Sequence, residues 1–387
     1  MSDLPKIPIA RPAFDEAELR AVAAPLTDGW VVQGPRVRAF EERFGAFVDA
    51  PHSVATSSCT TALHLALLAL DITAGDEVIV PALTWVATAN VVEMCGARPI
   101  FCDVDPATWN LDVRLIPGLV TPRTKAIIAV HLFGLPADLA ALEAAAPGVP
   151  IVEDAACGFG ARIGNRHVGT FGVAGCFSFH PRKAITTGEG GMVTTRDPAI
   201  AARCRALRDH GATAPRVAGG PFLLPDFEEV GYNYRLTDIQ AAIGLAQMDK
   251  AEWILRERHH RAAGYDAGLA GVPGLTTPVV PPGVTHGYQS YVCLYAPETP
   301  TLDNVEALNA RRNALMTRLE AGGISTRQGT HAVTTLGVFR KKYGIRPEDY
   351  PGALFGDRLT LALPLYPQMT DEEQARVIDA LKAEMGA

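Results

Sequence analysis

Along this chain the spacing of hydrophobic and polar positions changes period several times. Val37, Phe40, Phe44 and Phe47 recur at helical spacing, an apolar stripe that predicts a core-facing helix over 36–47 behind a shorter one at 15–26. From residue 52 the texture alternates. Short apolar runs at 53–56, 77–80, 99–104, 126–131 and 149–153 read as strands, and 62–70, 84–94 and 138–145 between them read as helices. Buried-type strands alternating with helices predict an α/β fold, a mostly parallel sheet covered by helices on both faces. Strand-like stretches at 176–179 and 192–195 come next, then helices over 198–209, from Thr237, and over 250–269. The Pro/Gly-rich stretch 272–283 breaks the pattern. Beyond it lie a strand (291–295), a helix (303–321), an irregular stretch, a strand (359–362) and a last helix from Thr370. Thr237 with Gln240, and Thr370 with Glu373, have the spacing of capping boxes. The expected division is a large domain over 1–270 and a smaller C-terminal α/β domain over 271–387.

Composition narrows the function classes. A chain of 387 residues, 48% of them apolar, buries a core without disulfides or metal. A net charge of −7 gives no basic footprint for nucleic acid and disfavours docking to an anionic membrane. The seven cysteines (59, 95, 102, 157, 176, 204 and 293) are odd in number and form no CxxC. They read as reduced thiols packed as small hydrophobes, with no metal site. No secretory leader is visible at the N-terminus, and no run approaches the ~18 apolar residues that span a bilayer. The expectation is a soluble, cytoplasmic protein.

Candidate chemistry centres on Lys183, held between two strand-like pieces by Pro181 and the glycines of 188–191. It is either a surface hairpin lysine or an amine nucleophile forming a Schiff base with a carbonyl cofactor. In parallel α/β sheets ligand-binding residues gather at the carboxyl ends of strands. That rule selects Cys59 and Thr60, Trp85, Asp154, Ser178 and Lys183. Each has a role around pyridoxal 5′-phosphate (PLP). Lys183 supplies the amine, and Asp154 pairs with the pyridine nitrogen, unless it only caps a helix. Backbone N–H groups at Cys59-Thr60, opening a helix, receive the phosphate with Ser178. Trp85 covers the ring, unless it is simply core. The Gly188-Glu-Gly-Gly191 cluster lacks GxGxxG spacing and precedes a strand, so a dinucleotide loop is discounted.

These residues bring the chain to a known family. It resembles the DegT/StrS-type sugar aminotransferases, PLP enzymes of fold type I, over nearly its whole length. The resemblance runs through Gly29-Trp-Val-Val-Gln-Gly34, Ser58-Cys-Thr-Thr-Ala-Leu63, Gly75-Asp-Glu-Val-Ile-Val-Pro81 and Glu153-Asp-Ala-Ala156. It continues in Phe177-Ser-Phe-His-Pro-Arg-Lys183, Gly188-Glu-Gly-Gly191 and Gly231-Tyr-Asn-Tyr-Arg235. The resemblance implies Lys183 as the Schiff-base lysine, Asp154 at the pyridine nitrogen, Trp85 on the ring, and Cys59, Thr60 and Ser178 at the phosphate. It also implies that Asn233 reaches the phosphate of a neighbouring subunit, so that a homodimer shares its sites.

The chain departs from the family pattern twice. Cys59 replaces a common glycine, and Cys157 stands where Gln or His usually approaches the cofactor's hydroxyl; a thiol hydrogen-bonds weakly. Cys157 is expected to be an inert buried cysteine, a reactive thiol being the alternative. His180 and His331 are candidate substrate contacts. The reading is an aminotransferase moving an amino group from an amino acid, plausibly glutamate, to a keto sugar, nucleotide-linked in the family's usual manner. Alternatives are a PLP-dependent sugar dehydratase, some of which carry histidine in place of the lysine, and a non-catalytic regulatory protein.

Overall fold

The computed structural model describes residues 5–213 and 225–386. Seven strands form the main sheet: β1 (His52–Thr56), β2 (Glu77–Pro81), β3 (Arg98–Cys102), β4 (Thr124–Val130), β5 (Ile151–Asp154), β6 (Ala174–Ser178) and β7 (Gly191–Thr195). Their spatial order is β1-β7-β6-β5-β4-β2-β3. The run from β6 to β3 is parallel, and β7 is antiparallel to both its neighbours. Every residue of β2 and of β7 is buried, as a sheet covered on both faces requires. The α/β expectation holds, with the mixed character coming from the hairpin β6–β7 that carries Lys183.

Helix Pro35–Val48 presents its predicted stripe to this hairpin. Phe40 packs edge-on against Phe179 at 5.1 Å, and Phe44 against Phe177 at 5.0 Å. The aromatic layer therefore sits directly beneath the strand that ends at Ser178. Five of the cysteines (59, 102, 176, 204 and 293) are buried as small hydrophobes.

A second, three-stranded sheet joins β8 (Leu275–Thr276), β9 (Tyr291–Tyr295) and β10 (Thr360–Leu363) in the order β8-β9-β10. Its core also takes Ala262, Tyr265 and Leu269 from helix Ala251–Leu269, and Ile7 from the start of the chain. The N-terminal part of that helix, through Ala251 and Ile254, belongs to the core under the lysine hairpin.

Two expectations are corrected. The helix foreseen at 84–94 begins only at Ala87, because Leu83–Thr84 pairs as a short strand with His331–Ala332. That partner lies some 250 residues away in the chain, and nothing local announces it. The stretch read as irregular contains helices Gly337–Tyr343 and Pro351–Leu359. Gly344, with φ of 65°, ends the first, and Pro351 opens the second from the first-turn position it favours. Most of the Gly/Pro-rich connection 211–225, expected to help build the substrate pocket, lies outside the described residues.

Candidate active site

The loop between β6 and β7 is held from several sides. Phe179 N–H donates to the Gly190 carbonyl at 2.9 Å and Thr187 N–H to the Phe179 carbonyl at 3.0 Å. Lys183 N–H donates to the carbonyl of His180 at 2.8 Å. The side chain of Gln240 reaches the Glu189 carbonyl at 2.7 Å, and that of Gln289 holds the Arg182 carbonyl. Ala184 and Ile185 are buried behind the lysine. Lys183 is only half-buried, with its root fixed and its amine at the front of the sheet. That amine lies 3.2 Å from Cys157 Sγ. Cys157 is half-buried where a buried cysteine was expected, and it touches the lysine.

Asp154 ends β5 next to β6, with Cα register to Cys176. Its carboxylate is buried; Oδ2 accepts from Thr88 Oγ1 at 2.8 Å and Oδ1 from the Ala156 N–H at 3.1 Å. The residues after it turn without forming a helix, so Asp154 is not a helix cap. Burial pushes its pKa up; the bonds from Thr88 and Ala156 and the charge of Lys183 oppose that without cancelling it. Neither hydrogen-bond donor is cationic. This is a carboxylate that gains from a positively charged partner in front of it.

Helix Cys59–Ala69 starts beside these groups. Ser58 caps it, its hydroxyl accepting the Thr61 N–H, which leaves the N–H groups of Cys59 and Thr60 without intrahelical acceptors. Their position depends on Gly191: a Cβ there would lie 2.4 Å from the Ser58 carbonyl. Gly191 is paired in register with Ser178, so the helix start lies next to the end of β6, where the Ser178 hydroxyl accepts the His180 N–H at 3.4 Å. Cys59 Sγ packs against the Cys176 carbonyl at 3.4 Å, and burial pushes its thiol pKa well up. An inert thiol in the family's glycine position fits that placement.

Trp85 is 56% exposed, so the core reading fails for it. Its ring lies 5.8 Å from that of His331, tilted by 38°. His180 turns inward to its own loop: Nδ1 accepts the Arg182 N–H at 3.2 Å, and partial burial lowers its pKa. Asn233 has an exposed side chain. Its neighbour Tyr234 accepts the Ser57 N–H through its carbonyl at 2.9 Å, so the segment lies along the phosphate-type turn.

Thr88 and His131 escaped the sequence reading. Thr88 bridges Asp154 and Thr84, whose hydroxyl is 3.0 Å away. His131 is fully buried; its Nδ1 accepts the Ala137 N–H at 3.0 Å, so Nε2 carries the proton that it donates to Glu153 at 2.9 Å. A threonine four residues after another on a helix-like segment was the only available signal for Thr88. Nothing local marked His131. Among the described residues, no group of three or more His, Cys, Asp or Glu is arranged to hold a metal, and no helix is long and apolar enough to cross a membrane.

A mixed sheet with a strand-end lysine, a buried carboxylate and free helix-start N–H groups suits one cofactor chemistry. It defines a PLP-dependent aminotransferase of fold type I. The chain belongs to the DegT/DnrJ/EryC1/StrS aminotransferase family, whose profile matches residues 12–382. It is 36% identical over 381 residues to the spore coat polysaccharide biosynthesis protein SpsC of Bacillus subtilis, covering 97% of this chain and 96% of SpsC. The Streptococcus pneumoniae protein Spr1654, solved in a PLP form, superposes with a TM-score of 0.90 at 28% identity, covering 98% of this chain and 99% of its own. The sugar aminotransferase CalS13 from Micromonospora echinospora superposes with a TM-score of 0.86 at 28% identity, covering 97% and 99%. Of the activities weighed from sequence, transamination stands.

Proposed function

We propose that this aminotransferase carries an amino group from an amino acid, glutamate by preference, to the carbonyl of a nucleotide-linked keto sugar. The observation that carries the reading is Lys183, on the loop after β6, acting by its charge on the buried Asp154 at the end of the adjoining β5, in a chain of a sugar aminotransferase family. The likeness to a polysaccharide biosynthesis protein and to a sugar aminotransferase supports a sugar acceptor.

The residues present suit PLP. The Cys59 and Thr60 N–H groups and the Ser178 hydroxyl offer donors to a phosphate, Trp85 a flat face, and Asp154 a buried anion for a pyridinium. Bound there, the cofactor supplies an aldehyde and an electron-withdrawing ring. Asp154 holds the proton on the ring nitrogen, because releasing it would leave a buried carboxylate unpaired. Lys183 Nζ takes the proton from the donor's Cα and gives one to the acceptor's former carbonyl carbon. Cys157 receives the lysine amine while it is free, in place of a stronger group at the cofactor's hydroxyl. His331, against Trp85, lines the acceptor side; His180 shapes the lysine loop. Asn233 donates to the phosphate of a second copy in a cytoplasmic homodimer, and the large and small domains meet near residue 270.

Purified chain incubated with PLP is expected to show a visible band that borohydride removes, fixing the cofactor's mass on the peptide containing Lys183. Glutamate should bleach the band, and a panel of nucleotide-linked keto-hexoses should restore it with formation of an amino sugar. Absence of a band overturns the PLP site; a band that no keto sugar restores overturns the acceptor. Mixing Lys183→Ala with Asn233→Ala should rebuild one complete site per mixed dimer; no recovery would sink the shared site.

A further inference from the structure

Loop 326–335 carries His331 from the smaller sheet to the short strand Leu83–Thr84 that follows β2. At its start the Arg327 and Ala362 backbones exchange hydrogen bonds at 3.2 and 2.7 Å. At its far end Val333 N–H donates to the Ala82 carbonyl at 2.7 Å, and His331 and Ala332 pair with Thr84 and Leu83. Between these anchors the loop is held by side chains of the segment 357–360. Gly329 N–H donates to Thr360 Oγ1 at 3.1 Å. The Gln328 amide donates to Asp357 Oδ1 and, at 2.8 Å, to the Thr330 carbonyl. Thr335 Oγ1 lies 3.2 Å from Asp357 Oδ2. Asp357 therefore holds the loop through Gln328 before His331 and touches it after His331 at Thr335, whose hydroxyl also donates to the Ala332 carbonyl at 2.8 Å.

This carboxylate is 3% exposed, in helix Pro351–Leu359. Arg358 balances its charge at 2.8 Å and is shared with Glu306, also at 2.8 Å. The helix lies tight on the larger sheet's side: a Cβ at Gly356 would fall 2.4 Å from a Leu83 methyl carbon. A buried carboxylate paired with a partly exposed arginine is a weak source of stability, whereas two loop residues three and four positions from a histidine are a specific load for it to carry.

We propose that Asp357 is a positioning residue: through Gln328 and Thr335 it sets His331 against Trp85, and so shapes the wall that meets the sugar acceptor. The consequence for the acceptor rests on the function proposed above; the placement of His331 does not. An imidazole set beside the ring that covers the cofactor offers a hydrogen-bond partner to a sugar hydroxyl.

The test uses the full chain, cofactor-free, labelled with 5-fluorotryptophan, whose four tryptophans give four fluorine resonances; Trp85→Phe identifies the relevant one. His331→Ala is expected to shift it. Asp357→Asn should shift it the same way while leaving the Trp30 and Trp253 resonances in place. A Trp85 resonance that responds to His331→Ala and not to Asp357→Asn overturns the proposal, as does one that ignores both. Should Asp357→Asn lose the dispersion of a folded chain, Gln328→Ala removes the loop's half of the contact and is read the same way. In turnover, using the keto-hexose most active in the panel, Asp357→Asn should raise the acceptor KM about tenfold, the cost of one lost hydrogen bond. The rate of bleaching by glutamate should stay unchanged, and in a His331→Ala background Asp357→Asn should add nothing. A chain that aminates no sugar defeats the acceptor reading, and the fluorine spectra still decide the positioning role.

Discussion

Glu153 and Asp154 are neighbours on one strand, and their carboxylates face opposite ways into different worlds. On the rear face Glu153, fully buried, accepts from His131 at 2.9 Å and from the N–H groups of Gly169 at 2.5 Å and of Phe171 and Gly172 at 2.7 Å each. Burial alone would push its pKa up; the hydrogen bonds from His131 and the backbone outweigh that and bring it down. On the front face Asp154 has one hydroxyl and one N–H, and burial wins. The difference teaches how one strand end makes a strut and an under-bonded anion from the same functional group. The saturated carboxylate fastens the turn 169–172, and the undersupplied one is left needing a cation.

The contrast can be broken from its front face first. Lys183→Ala, and Lys183→Arg as well, should lower turnover by at least about 10⁴-fold, since both the covalent anchor and the proton carrier go; a purified variant retaining a tenth of the activity would refute this. Neutralising the two carboxylates should then separate them by sign. Asp154→Asn should cost most of the activity yet raise the melting temperature of the cofactor-free chain. Its raised pKa means that stability is fully present below the ordinary aspartate value and is lost as pH rises through the folded value, so at neutral pH the charge is a burden. Glu153→Gln should do the reverse and destabilise by about 3 kcal/mol, the scale of buried hydrogen bonds to a charged group. Its lowered pKa contributes stability above the ordinary glutamate value, lost as pH falls through the folded one. Thermal melts of both variants at pH 7 with shifts of one sign would end the comparison.

Smaller effects sharpen it. Thr88→Val removes one of the two donors to Asp154 and should cost about tenfold in activity, with little change in the melt. Cys157→Ser offers Lys183 an oxygen in place of sulfur and should leave turnover within about threefold, since it replaces one weak partner with a modestly better one. A loss comparable to that of Asp154→Asn would make the sulfur itself necessary.

Much of the site could be read before any tertiary contact was known, because its signals are local. The run into Lys183, its glycines and the second strand lie in one stretch; Asp154 closes an apolar run; Cys59 and Thr60 open a helix. Period-2 and helical patterns reveal such features, and the carboxyl-end rule gathers them on one rim. Thr88 was beyond that reach, as were the exposure of Trp85, the meeting of Trp85 with His331, and the Cys157 thiol beside Lys183.

Sequence by itself determined the alternation of strands and helices, the ends at which chemistry would gather, and the family. The first two follow from patterns that a few consecutive residues impose on their own backbone. Only the tertiary structure decided which groups touch: Thr88 and Asp154 lie 66 residues apart, Lys183 and Cys157 26. It also decided that Glu153 is saturated and Asp154 is not. Those outcomes depend on burial and on hydrogen-bond partners delivered by distant segments, and packing, not local periodicity, sets both.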